Sequence, residues 1–230
     1  AASDVYKRQD EIKSIVLEEG VTRIGDYAFY DCTALTSVEI PEGVTLIGES
    51  AFSCCQSLES VTIPGSVTEI GEGAFESCDS MLVLELASGL KRVGAFAFSE
   101  CFSLRALDLP DTVERIDRSA FTGTALQELV IPSNVQEIGD NAFNGCIRLS
   151  SLTLSEGIRV IEEMAFSNCS DLTEVLIPAS VERLGDGVFA DCLAMTQIAV
   201  APESEHFVVQ DNILYLSLIH ISEPTRPISI

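Results

Sequence analysis

Eight phenylalanines set the register of the whole chain. They fall at Phe29, Phe52, Phe75, Phe98, Phe121, Phe143, Phe166 and Phe189, so the successive spacings are 23, 23, 23, 23, 22, 23 and 23 residues. A fixed period of this size limits the chain to a solenoid, because each unit is one supersecondary element whose apolar face only its neighbours can cover. The 230 residues are therefore expected to form one elongated array rather than a globule around a single centre. The hydrophobic fraction of 47% is enough for a continuous core, and no apolar run approaches the ~18 to 20 residues that a membrane-spanning helix requires.

Within a unit the pattern changes character along the chain. Leu35, Val38 and Ile40 open one, and the alternation Val38-Glu39-Ile40 predicts a strand with Glu39 outward. Proline then follows at Pro41, Pro64, Pro110, Pro132 and Pro178, where a residue without an N–H suits the end of ladder pairing. A second inward pair, such as Val67 with Ile70 or Val113 with Ile116, is spaced by three and reads as a short extended piece on the opposite side of the coil. The Ala-Phe-x-x-Cys segment is too short for an ordinary helix and reads as one helical or 3₁₀ turn carrying Phe and Cys inward.

These landmarks resemble the leucine-rich repeats of the BspA-like subclass, with its IPxxVxxIGxxAFxxCxxL unit. One unit carries the match on Ile63, Pro64, Val67, Ile70, Gly71, Ala74, Phe75, Cys78 and Met81, and the pattern runs from about Asp10 to Val200. The resemblance implies an α/β-type repeat solenoid, mostly β. The form it implies is a leucine-rich-repeat superhelix with one parallel sheet on its concave face and short turns or 3₁₀ pieces on the convex side. It also implies adhesion or protein binding at a cell surface or after secretion, and no catalytic residues.

The array is assigned to residues 10–216. Residues 1–9 and 217–230 carry none of the landmarks and read as adapter-derived tails, so the chain is expected to be a fragment whose lack of a signal peptide carries no information. Near the end, Asp211-Asn212 inside an apolar stretch is expected to turn a hairpin. In the unit through Phe121 the spacing to Leu126 is five, where Phe29 to Leu35 is six; this reads as a deleted cysteine and a tightened turn. The glycine of the Ile-Gly landmark is replaced by Asp117 and Glu162.

Seven of eight cysteines share one repeat position, which predicts a column of buried thiols. Only Cys54 and Cys55 lie close in sequence, so zinc-ligand spacing is absent and no cofactor is expected. His206 and His220 are the only histidines, and no nucleophile, base and orienting group recur together; the chain is read as not an enzyme. A formal charge of −23 repels phosphate backbones, which argues against nucleic acid. A column of carboxylates at Asp26, Glu49, Glu72, Asp140, Glu163 and Asp186 precedes the Ala-Phe turn. It reads as N-terminal capping of that turn, and its spacing lacks the glycine-aspartate nonapeptide of calcium-binding rolls.

Binding is expected on the outward positions of the strand that opens each unit: Glu39, Thr62, Glu85, Asp108, Val130 and Leu176, with Leu82, Val83, Arg105 and Glu128 beside them. That column is acidic in its first half and apolar in its second. Such an extended, pre-ordered surface fits a protein or peptide ligand. The alternative is a spacer that projects another domain.

Overall fold

A computed structural model describes residues 10–210 and 213–216. The chain winds into a parallel β-solenoid in which all but one of the complete coils contribute a longer and a shorter strand, numbered here along the chain. The longer strands are β1 (Ser14–Val16), β3 (Ser37–Glu39), β5 (Ser60–Ile63), β7 (Val83–Leu86), β10 (Glu128–Ile131), β12 (Ser151–Leu154), β14 (Glu174–Ile177) and β16 (Gln197–Val200). The shorter ones are β2 (Arg23–Ile24), β4 (Leu46–Ile47), β6 (Glu69–Ile70), β8 (Arg92–Val93), β9 (Arg115–Ile116), β11 (Glu137–Ile138), β13 (Val160–Ile161) and β15 (Arg183–Leu184). No α-helix occurs among the described residues, so the expected repeat solenoid is present in its mostly-β form, without the α component of the α/β label.

The sheet expected to be continuous is not the one that is. The short strands form an unbroken eight-stranded parallel sheet, whereas the long strands divide into β1-β3-β5-β7, β10-β12 and β14-β16. The first break falls at Arg105–Leu109, which takes no strand conformation. Its sequence, Arg-Ala-Leu-Asp-Leu, has no β-branched residue, whereas every long strand contains at least one Val, Ile or Thr. Without those side chains, and with Asp108 near its end, the segment lacks the residues that fit a pleated surface.

The Ala-Phe-x-x-Cys segment is neither helix nor 3₁₀ turn. Residues two before and two after each Phe are left-handed, for example Tyr27 (φ 55°) and Asp31 (φ 59°) around Phe29, and Gly73 (φ 59°) and Ser77 (φ 57°) around Phe75. The reversals split the backbone donors in two. Ala28, Tyr30 and Cys32 donate to carbonyls three residues back, while Tyr27, Phe29 and Asp31 donate to Glu49, Ala51 and Ser53 of the next coil, each at 2.8 Å. A 3₁₀ turn would have satisfied every N–H inside its own coil and left none to join coils. The clue in the sequence was the Gly, Asn and Asp at these places: Gly73, Gly123, Asn141, Gly145, Asn168, Gly187 and Asp191.

Between the sheets lies the core. The Phe rings stack face to face from Phe29 to Phe189 with centroids 5.1–5.8 Å apart, the offset geometry that aromatic pairs favour. The thiols form a parallel ladder in which those from Cys55 onward donate to the Phe carbonyl of the preceding coil: Cys78 to Phe52 at 3.3 Å, Cys101 to Phe75 at 3.3 Å and Cys192 to Phe166 at 3.2 Å, for example. Thr124 occupies the one gap in this ladder. It is buried, its hydroxyl donates to the Phe121 carbonyl at 3.0 Å, and that hydroxyl lies 3.2 Å from Cys146 Sγ. The cysteine is therefore substituted rather than deleted, and the missing residue falls between Thr124 and Leu126, past the ladder.

Burial pushes the thiols of Cys55 and Cys101 up to about 12. Cys78 is raised by the same burial, and since the thiolate is the nucleophile, iodoacetamide at about pH 8 should leave Cys55, Cys78 and Cys101 of the folded protein unmodified, while unfolding without reductant exposes eight reactive thiols. Mass spectrometry showing fewer than eight after unfolding would mean that bridges form.

The Ile-Gly glycines mark one of the places where neighbouring coils approach closely. A Cβ at Gly71 would sit 2.7 Å from the Gly48 carbonyl carbon and 2.8 Å from the Ile47 oxygen. The two replacements at this position, Asp117 and Glu162, are both carboxylates held by arginine. Asp117, with its side chain 8% exposed, lies 2.6 Å from Arg92 and 2.6 Å from Arg115, and Glu162 pairs with Arg183. The array ends in an antiparallel hairpin, β17 (Phe207–Gln210) with β18 (Ile213–Leu216), in which Gln210 pairs with Ile213. Phe207 and Leu214 are buried, and β17 lies beside β16. The Asp211-Asn212 turn itself and both tails lie outside the described residues.

Candidate functional site

Alternation along each long strand buries one residue and exposes the next. In β5 Val61 and Ile63 face the core and Thr62 faces out; in β14 Val175 and Ile177 face in and Leu176 faces out. Parallel pairing in register then aligns these outward residues into a column: Val16 beside Glu39, Thr62 beside Glu85, Val130 beside Thr153 and Leu176 beside Ala199. All ten residues expected from the sequence are exposed: Glu39, Thr62, Leu82, Val83, Glu85, Arg105, Asp108, Glu128, Val130 and Leu176. Val130 and Leu176 are 56% and 55% exposed, large values for residues of their kind.

What the sequence did not show is relief on this face. Beside the unpaired Arg105–Leu109 segment a groove of about 320 Å³ opens, lined by Leu107, Asp108, Leu109, Asp111, Glu128 and Val130 among others. A second hollow of about 330 Å³ lies at the other break, between β12 and β14, with Leu152, Leu176 and Ala199 in its walls. The Gln127 N–H still donates to the Arg105 carbonyl at 3.2 Å, so the coils remain joined at one end of the first groove.

The opposite face carries the ion pairs of the described residues. Arg92 bridges Glu69 at 2.5 Å and Asp117, Arg115 bridges Asp117 and Glu137 at 3.1 Å, and Arg159 meets Glu182 at 2.7 Å. At Asp26, the first carboxylate of the column expected to cap the Ala-Phe turn, the observed bond differs from that expectation. Asp26 accepts the N–H of Glu49 at 3.1 Å, from the next coil rather than its own turn. Among the described residues no three potential metal ligands converge, and no helix is long and apolar enough to cross a membrane.

A stack of parallel coils with an aromatic ladder, a continuous short-strand sheet and a variable outward column defines a leucine-rich-repeat solenoid. A family profile described as the BspA type leucine rich repeat region matches residues 2–124 and 91–217, and the chain belongs to that family. Among solved structures it is similar to a leucine rich cell surface protein from Faecalibacterium prausnitzii A2-165, at 31% identity and a TM-score of 0.69 over 88% of this chain and 53% of that one. It is also similar to the T. pallidum leucine rich repeat protein TpLRR, at 28% identity and a TM-score of 0.57 over 80% of this chain and 78% of that one. The pneumococcal vaccine antigen PcpA, at 21% identity and a TM-score of 0.51 over 89% of this chain and 44% of its own, shares the fold. The chain thus spans about half the length of the Faecalibacterium neighbour. Among curated protein sequences no significant match is found.

Proposed function

We propose that this chain is a non-enzymatic recognition module of a cell-surface or secreted protein, and that it binds a protein or peptide on its long-strand face. The observation that carries the reading is the exposure of Glu39, Thr62, Leu82, Val83, Glu85, Arg105, Asp108, Glu128, Val130 and Leu176 along the stacked coils, with a groove among them. A surface whose side chains are already ordered by stacked coils loses little conformational entropy on binding. The description of the Faecalibacterium neighbour as a cell surface protein supports the location. The unbroken eight-stranded sheet favours a second reading, a stiff spacer that holds another domain at a distance.

One comparison separates them. Binding to a panel of purified extracellular proteins is measured with the native array and with a Glu85→Lys, Asp108→Lys double variant, which reverses charge in the middle of the face. Recognition predicts at least one partner whose binding falls about tenfold or more. Binding unchanged by the double variant, or found for no protein of the panel, would favour the spacer.

A further inference from the structure

The array distributes its positive charge unevenly. Among the described residues every ion pair lies on the short-strand side or at its bends, through Arg23, Lys91, Arg92, Arg115, Arg159 and Arg183. On the long-strand face none of Glu39, Glu85, Asp108, Glu128 and Glu174 enters an ion pair with a described residue, and Glu85 accepts the Thr62 hydroxyl at 2.9 Å. Asp111, at the rim of the groove, offers its backbone carbonyl to Asn134 and leaves its carboxylate outside every ion pair among these residues. The ion pairs thus gather on one face, while on the other the carboxylates stay outside any ion pair with a described residue although Arg105 is exposed among them, and three of them gather beside the groove.

The groove joins that charge to apolar wall. Leu107, Leu109 and Val130 line it, with Asp108, Asp111 and Glu128 around them. That pairing suits a side chain with an aliphatic stem and a cationic head, which lays its methylenes on apolar surface while the charge stays at the rim. Further along the column the face turns apolar at Leu176. From the Asp108 coil to the Leu176 coil is three steps of the stack, roughly 14 Å at ~4.8 Å per strand. Four residues of extended chain at ~3.4 Å each cover the same distance and return a side chain to the same side.

Building on the recognition reading above, we infer that the partner presents an extended basic segment: lysine or arginine seated at Asp108, Asp111 and Glu128, and an aliphatic residue four positions away on Leu176. The choice of a basic polypeptide follows from charge complementarity, since the face repels acidic chains, and from the match between strand spacing and extended-chain length.

The probe is a fluorescent nonapeptide of serine and threonine with arginine at its first and third positions and leucine at its seventh. Its anisotropy is titrated with the full array. Removing three groove charges (Asp108→Asn, Asp111→Asn, Glu128→Gln) should weaken binding about tenfold, and raising salt should weaken it further. Removing three exposed charges elsewhere (Glu19→Gln, Glu42→Gln, Glu203→Gln) should change it by less than about twofold. Equal losses in the two triple variants, or equal binding of the peptide with glutamate in place of arginine, would overturn the inference. If Leu176→Ser weakens binding while the groove triple does not, the cationic seat fails and the recognition face stands; if neither variant matters, both fail.

Discussion

Phe98→Ala should cost about 3–5 kcal/mol of stability, one of the two largest effects expected of any single substitution in the array. Phe98 is fully buried, and its ring lies between Phe75 and Phe121 at 5.3 Å on each side. Truncation removes the ring's transfer free energy, leaves a cavity that rigid coils cannot collapse, and breaks two stacking contacts at once. Phe29 provides the internal comparison. It is only partly buried and among the described residues stacks on one ring, Phe52, so Phe29→Ala should cost clearly less. In a solenoid each coil is stabilised by its neighbours, so the central variant should also broaden the transition as the two halves decouple. Urea unfolding followed by circular dichroism checks both statements; equal losses for the two variants would refute the ladder as a cooperative element.

Gly89→Ala should be comparably damaging for a different reason. Gly89 has φ +142°, where L side chains are strained, and an added Cβ would lie 1.9 Å from the Gly65 carbonyl oxygen of the neighbouring coil. That contact is with backbone, so relief requires these two coils to separate, and separation would disturb the bonds that join them on either side, Ala87 N–H donating to the Ile63 carbonyl at 3.0 Å and Lys91 N–H to the Thr68 carbonyl at 2.9 Å. A loss of about 3 kcal/mol or more is expected from strain and overpacking together. Gly20 isolates the first contribution, since its φ is +94° but nothing lies within 4 Å of where a Cβ would stand. Gly20→Ala should therefore cost about 1–2 kcal/mol. Melting the two variants side by side tests this; similar losses would show that conformation, not coil spacing, demands glycine at Gly89.

Much of the candidate site was legible before any coordinates. A period of 23 with strand alternation places Thr62 and Glu85 outward and side by side, because side chains alternate strictly in a strand and equivalent coils repeat. Less legible was the backbone of the Ala-Phe segment. Its residues look like a helical turn because i to i+3 spacing serves both structures. The choice between them depends on whether alternate N–H groups find acceptors on another coil, as Phe29 does at Ala51. Thr124 was misread for a related reason: spacing to Leu126 shows that one residue is missing but not where, and only the buried hydroxyl beside Cys146 locates the substitution.

By itself, then, the sequence determined the architecture and the inventory of the exposed face. Repetition forces stacking, and apolar positions at fixed phase leave a single consistent inside. Tertiary structure decided which sheet is continuous, where the long-strand face opens into a groove, and which carboxylates are left without a cation. These depend on contacts between coils. Asp117 is neutralised because Arg92 and Arg115 reach it from either side; Asp108 is not, because no basic side chain among the described residues pairs with it across an unpaired segment. Distances of this kind are properties of the stack, and no single repeat encodes them.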